Sequence, residues 1–188
     1  MRIVGGRLKG AQLQVTPGTD IRPTADRVRE ALFNMLEAGR FIAGVRGRRV
    51  IDVFAGSGAM GLEALSRGAE RATFLELNPK VIRSLEATVD RLRVGDIARV
   101  IGADAVRPPM PLYAADLAFL DPPYKKDLAA PALEALSAQG WLAPDALVLV
   151  ETEKSETLDP PAGFMQEDER RWGRTKVVFL RHTNGFTE

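Results

Sequence analysis

Five short apolar runs, RRVIDVF, RATFLEL, ARVIGAD, DLAFL and ALVLVET, punctuate the middle of the chain. Runs this short and this rich in β-branched residues read as strands buried on both faces, as in a parallel sheet covered by helices. Between them, AMGLEALSRG, PKVIRSLEATVDRL and DLAAPALEALSAQG read as helices; Pro79 suits a first helical position and Pro131 falls near a first turn. The third and fourth runs are joined by VRPPMPLYAA, a Pro-rich loop with no recognisable motif. Alternation of this kind predicts an α/β fold, one mostly parallel sheet wrapped on both faces. Ligands of such sheets sit at the carboxyl ends of the strands, near the switch in strand order. That rim has polar punctuation after Phe54, after Leu75 and after Leu120.

The flanks read differently. MRIVGGRLKGAQLQV suggests two short strands around glycines, a β-hairpin extension over 1–20 ahead of a catalytic core at 21–188. After the turn-rich TPGTDIRP, Thr24 can cap a helix whose apolar face is Val28, Leu32 and Met35, with Gly39 as its stop. MQEDERRWGRTKVVFLRH reads as two strands joined at Gly173. At 188 residues a single domain is expected. No apolar stretch is long enough to span a bilayer and the start lacks a secretory h-region, so a cytoplasmic protein is expected.

The chain has no cysteine and one histidine, His182. Disulfides, thiolate metal sites and Cys nucleophiles are excluded, and no metal is expected. A net charge of +1 does not by itself mark a nucleic-acid binder. Arginines do gather, in Arg46, Arg48 and Arg49, in Arg170, Arg171 and Arg174, and with Lys9 in Arg2 and Arg7. Taken alone, each cluster is equally well read as solvated surface.

Three motifs fall on the expected rim. DVFAGSGAMG sets Gly56, Gly58 and Gly61 in G-x-G-x-x-G spacing between a strand and a helix, and Glu76 ends the next strand. Glycines permit a tight turn and close approach of a ligand, and the acid can accept both hydroxyls of a ribose. The pair fits a dinucleotide or another nucleoside-containing cofactor. Asp52 tips the balance, because an acid ahead of the glycines repels a pyrophosphate but suits an ammonium. A ribose, an adenine and an α-amino group together describe S-adenosyl-L-methionine. Asp104, in GADA, can accept from an adenine amino group, although one Asp after a strand is more often a loop residue.

The third motif is DPPYKKD, Asp121 to Asp127. An aniline-like amine is a poor nucleophile because its lone pair is delocalised into the ring. A protein can rotate that lone pair toward a methyl donor by accepting hydrogen bonds from both N–H groups. Asp121 and the Pro122 carbonyl can be those acceptors; Pro122 and Pro123 fix where carbonyls aim, and Tyr124 can stack on the base. The bland alternative is a rigid turn ending a strand.

Together DVFAGSGAMGLEALSRGA, FLELN, GADA and FLDPPY resemble the class I, Rossmann-like methyltransferases that modify exocyclic amines. RPTADRVREALFNML and WGRTKVVFL narrow the resemblance to the RsmD family, bacterial 16S ribosomal RNA guanine-N2 methyltransferases, over nearly the whole chain. The resemblance implies a seven-stranded sheet with its last strand antiparallel. It implies methylation of one guanine N2 in 16S rRNA of an assembled or assembling small subunit, by a monomer. It places Arg22 and Thr24 near the cofactor's methionine end and Phe54, Gly56 and Gly58 along it. Glu76 should hold the ribose, Asp104 and the Ala105 amide the adenine, and Asp121, Pro122 and Tyr124 the target base. With RNA as substrate, Arg2, Arg7, Lys9, Lys125 and Lys126 become candidate phosphate contacts.

Three other readings share parts of this pattern. A nicotinamide-dependent oxidoreductase would use the glycine loop but has no need of DPPY. A DNA adenine-N6 methyltransferase would use DPPY, yet no stretch is long enough for a target-recognition region. An RNA-binding assembly factor could keep the fold without the chemistry. The acids and glycines that the chemistry needs are all present.

Overall fold

The alternating apolar runs pair side by side, as their double-sided hydrophobicity requires. The computed structural model describes residues 1–14, 23–123 and 126–183, the side chains of 23–25 excepted. Its strands are β1 (Arg49–Val53), β2 (Arg71–Glu76), β3 (Ala98–Gly102), β4 (Ala115–Leu120), β5 (Leu142–Glu153), β6 (Phe164–Trp172) and β7 (Thr175–His182). They form one sheet in the order β3-β2-β1-β4-β5-β7-β6. β1 to β5 run parallel, while β7 is antiparallel to both β5 and β6. The order reverses between β1 and β4, which is where a ligand crevice opens in such sheets.

The helices are α1 (Pro23–Glu37), α2 (Ala59–Ser66), α3 (Pro79–Arg91) and α4 (Ala129–Ala138). Successive strand residues feed two separate cores. Val50, Phe74, Leu117, Phe119 and Phe179 face Phe33 and Leu36 of α1, Leu62 of α2 and Leu85 of α3. Ile51, Val53, Leu75, Leu120 and Val150 face Leu133 and Leu136 of α4, with Trp141. No helix joins β3 to β4. The Pro-rich loop takes that place, pinned by Trp141 Nε1 donating to the Pro109 carbonyl (2.8 Å) and by Tyr113 sharing a proton with Thr73 (2.6 Å).

Three expectations are corrected. α1 begins at Pro23, so Thr24 lies inside the helix rather than capping it; proline's fixed φ suits the first helical position. β5 extends beyond ALVLVET to Leu142–Glu153, because an irregularity between Ala115 and Leu117 of β4 lets the earlier residues pair. The opening residues pair as a hairpin without reaching full strands: one antiparallel bridge, Arg2 to Gln12, flanked by the Ile3 amide on the Ala11 carbonyl (3.0 Å) and the Leu13 amide on the Met1 carbonyl (3.1 Å). Residues 15–20 of the expected extension lie outside the described residues.

Buried charge fastens that opening segment. Glu63 of α2 is fully buried, 0% exposed, and accepts from Arg67 Nε (2.8 Å) and the Val4 amide (2.8 Å). Arg29 of α1 lies 3.5 Å from the same carboxylate and also donates to Asp26 and the Arg2 carbonyl. Ser66 receives the Leu8 amide (2.9 Å) and Met1 Sδ receives the Ser57 hydroxyl (3.2 Å). Removing one partner of a buried ionic cluster leaves the other uncompensated, typically at about 3–5 kcal/mol. Glu63→Ala is therefore expected to lower unfolding free energy by about that amount in urea titration. It should also quicken proteolysis between residues 1 and 13, as the segment loses its anchor.

Candidate functional site

The glycine turn is built by packing from below. Gly58 caps α2 at φ 71°, ψ 22°, in the left-handed region. A Cβ there would meet Leu85 Cδ1 at 2.5 Å, so another residue would strain the backbone and force the Leu85 side chain to move. A Cβ at Gly61 would meet Phe74 Cε1 at 2.4 Å, which is how α2 approaches the sheet so closely. Phe54, just before the turn, also has positive φ (59°). For a bulky aromatic this is strained backbone, of the kind found at ligand sites and worth about 1–3 kcal/mol. No periodicity in the sequence announces it.

Asp52 lies beneath this turn, 4% exposed, and accepts the Gly61 amide at 2.8 Å. Burial pushes its carboxyl up from an ordinary 3.8 to about 7; the Gly61 N–H opposes the shift and the charge of Glu76 adds to it. Glu76 Oε2 accepts from the Gly56 amide (2.9 Å), and Oε1 accepts from Leu77 (3.0 Å) and Asn78 (2.8 Å). A carboxylate offers about four acceptor sites, so one on Oε2 remains for a ligand.

Register aligns the rim. Val53 pairs with Leu75 on one side and Leu120 on the other, and Glu76 pairs with Gly102. Phe54 is thus flanked by Glu76 and Asp121, with Asp104 two residues past Gly102. Asp104 Oδ1 accepts the Val106 amide (3.1 Å), and Ala105 is buried beside it. The Asp121 amide donates to the Val53 carbonyl (3.3 Å), tying the start of DPPY to β1. Asp121 and Pro123 are exposed and Pro122 is buried. Tyr124, Lys125 and Arg22 lie outside the described residues, as does the Thr24 side chain.

Two rim residues escaped the sequence reading. Leu77, next to Glu76, is 66% exposed, an apolar surface beside an acid. Glu151 follows Val150, the partner of Leu120, and so stands next to Asp121. Arg2, Arg7, Lys9 and Lys126 are all exposed. Among the described residues, no group of three or more His, Asp or Glu is arranged to hold a metal ion.

The family model described as Conserved hypothetical protein 95 matches residues 1–181. The chain belongs to that family, the RsmD family. It is 38% identical to Ribosomal RNA small subunit methyltransferase D of Haemophilus influenzae, over 92% of this chain and 89% of that one. The protein of the same name from Escherichia coli K12 is 37% identical, over 98% and 92%. A solved Escherichia coli structure, yhhF, described provisionally as a methyltransferase, superposes with TM-score 0.82 at 34% identity, covering 97% of this chain and 98% of that one. The fold is accordingly the Rossmann-like class I methyltransferase fold, with the antiparallel last strand.

Asp52 has a measurable signature. Its raised pKa means that, between pH 4 and 7, the folded protein keeps a proton that the unfolded chain has released. Stability then falls as pH rises through that window. The stability of Asp52→Asn relative to the unsubstituted protein should rise from pH 4 to 7, by about 1.4 kcal/mol per unit at most, and level off above. Urea midpoints across pH measure it; a pH-independent difference would show that burial does not hold the proton.

Proposed function

We propose that the chain transfers a methyl group from S-adenosylmethionine to the N2 amine of one guanine in 16S rRNA of the assembled or assembling small subunit. The observation that carries this reading is the row of acceptors over adjacent strand ends: Asp104, Glu76 and Asp121, with the glycine turn at the centre. Adenosylmethionine presents donors to a protein, an adenine amino group, ribose hydroxyls and an ammonium, so the residues present fit it. A pyrophosphate would meet Asp52 and Glu76 as repelling charges. The names of the RsmD relatives support ribosomal RNA as substrate.

Bound at this rim, the cofactor would supply a methyl group on an electrophilic sulfonium. Glu76 Oε2 holds a ribose hydroxyl, and Asp104 and the Ala105 amide hold the adenine edge while Leu77 covers its face. Phe54, Gly56 and Gly58 line the cofactor, Asp52 supports the turn and favours the ammonium, and Arg22 and Thr24 close the methionine end. Asp121 and the Pro122 carbonyl accept the two N–H groups of the amine, and Tyr124 stacks on the ring. Pro122 and Pro123 keep competing donors out of the site. Orientation of this kind can supply about 7–11 kcal/mol. Guanine carries an N1–H beside its amine and adenine does not; in this reading Glu151, level with Asp121 on the next strand, is the acceptor for it. Arg2, Arg7, Lys9, Lys125 and Lys126 contact phosphates. In this reading residues 1–20 and 21–188 work as one domain, a metal-free cytoplasmic monomer.

Asp121→Ala should lower kcat about a hundredfold or more with cofactor affinity nearly unchanged, as measured by methyl transfer to small subunits and by calorimetry. Equal loss of both would make Asp121 structural. Glu76→Ala should weaken cofactor binding instead, and undiminished affinity would remove it from the ribose site. At pH 7 binding should release a fraction of a proton as the ammonium draws it from Asp52. The heat of binding would then vary with buffer ionisation enthalpy, and cease to vary in Asp52→Asn.

A further inference from the structure

The sheet separates the arginine clusters that look alike in sequence. Arg49 opens β1, at the amino end of the sheet, and is committed to Asp116 through Nε (3.2 Å) and a terminal nitrogen (2.9 Å). Arg46 and Arg48 precede it at that same end, farthest from Asp121. Arg7 is bound through its amide to the Ser66 carbonyl (2.8 Å), one helix length from the glycine turn, roughly 11 Å away. The cluster at the β6–β7 turn lies elsewhere. β7 runs antiparallel, so its start and the end of β6 meet at the carboxyl rim.

That corner stands above the rim. Leu120 is level with Val150, but β5 continues to Glu153, which pairs with Thr175, itself paired with Trp172. Glu153 lies two residues past the level of Asp121, so at about 3.3 Å each the β6–β7 turn begins roughly 7 Å above Asp121, across β5 from its strand. The turn is fixed to β5 by the Lys154 amide donating to the Arg174 carbonyl (2.9 Å), and Trp172 packs partly against the core. Charges below the tip cancel in place. Arg170 pairs with Asp168 (2.7 Å), Arg171 pairs with Glu169 (2.7 Å), and buried Lys176 reaches Glu169 and the Glu156 carbonyl. Glu151 and Glu153, on β5, lie lower and are half-buried. Lys154 and Arg174 are exposed and, among the described residues, make no ion pair.

We propose that Lys154 and Arg174 form a phosphate clamp, holding the RNA backbone beside the target guanine from the side opposite the cofactor. The proposal rests on the RNA methyltransferase reading and adds a contact surface to it. A base that leaves its stack to reach Asp121 drags its flanking phosphates toward the rim. Two cations on a rigid turn at that height meet them, whereas flexible or paired cations would contribute little.

The test is the double variant Lys154→Gln, Arg174→Gln, with Arg46→Gln as a control at the other end of the sheet. Binding to small subunits from cells lacking the gene is measured across salt concentrations, alongside cofactor affinity and methyl transfer. The double variant should bind roughly tenfold more weakly and lose about two units of salt slope. Its cofactor affinity and its kcat at saturating subunit should stay unchanged, and Arg46→Gln should match the unsubstituted protein throughout. Unchanged affinity and slope in the double variant, with an active unsubstituted protein, would overturn the clamp alone. Equal loss in Arg46→Gln would overturn it too, by showing a general charge effect. Absence of methyl transfer to ribosomal RNA by the unsubstituted protein would overturn the functional reading, and the clamp with it.

Discussion

Everything at the rim hangs from the hydrogen bond between the Gly61 amide and Asp52. It fixes the first turn of α2 against β1, at a separation only glycine allows because Phe74 lies directly beneath. From there backbone bonds relay the geometry outward. Ala55 donates to the Leu75 carbonyl, Gly56 to Glu76, and Ala103 to the Glu76 carbonyl, joining β1, β2 and β3 edge to edge. On the other side the Asp121 amide reaches Val53. The acceptors that face a ligand are thus positioned by main chain rather than by long side chains.

This arrangement is held against local cost. A buried acid near neutrality, Asp52, and a phenylalanine with positive φ, Phe54, both lower stability. Neither could persist in a loosely packed turn. Seven hydrogen-bonded strands and two apolar cores around them supply the excess. The strain is concentrated on the two residues bracketing the end of β1, next to the switch in strand order.

Most of the sheet was legible because β-branched apolar runs bounded by turn residues have few other uses. The glycine spacing was legible for the same reason: each glycine answers a distinct steric demand. Less could be read where the fate of a residue depends on a distant partner. Glu63 sits in a helix with an ordinary charged pattern, and only α1 and the opening segment make it a buried anchor. The opening glycines suggested two strands; the pairing there shortens to one bridge flanked by backbone bonds, while the Val4 and Leu8 amides turn to Glu63 and Ser66. Leu77 and Glu151 gain meaning from register, which no local pattern carries. The arginine clusters were indistinguishable until strand direction assigned each to an end of the sheet.

β6 is an outermost strand, and an outermost strand offers unpaired amides and carbonyls to any other chain. Its middle is Glu167, Asp168, Glu169, Arg170 and Arg171, with charge on both faces and opposite signs paired in place. A second copy could align its backbone there only by stripping water from all five. The same self-neutralising stretch gives a polyanion little to hold along the strand's length. One edge therefore resists both kinds of unwanted association, aggregation by strand addition and indiscriminate adhesion to nucleic acid.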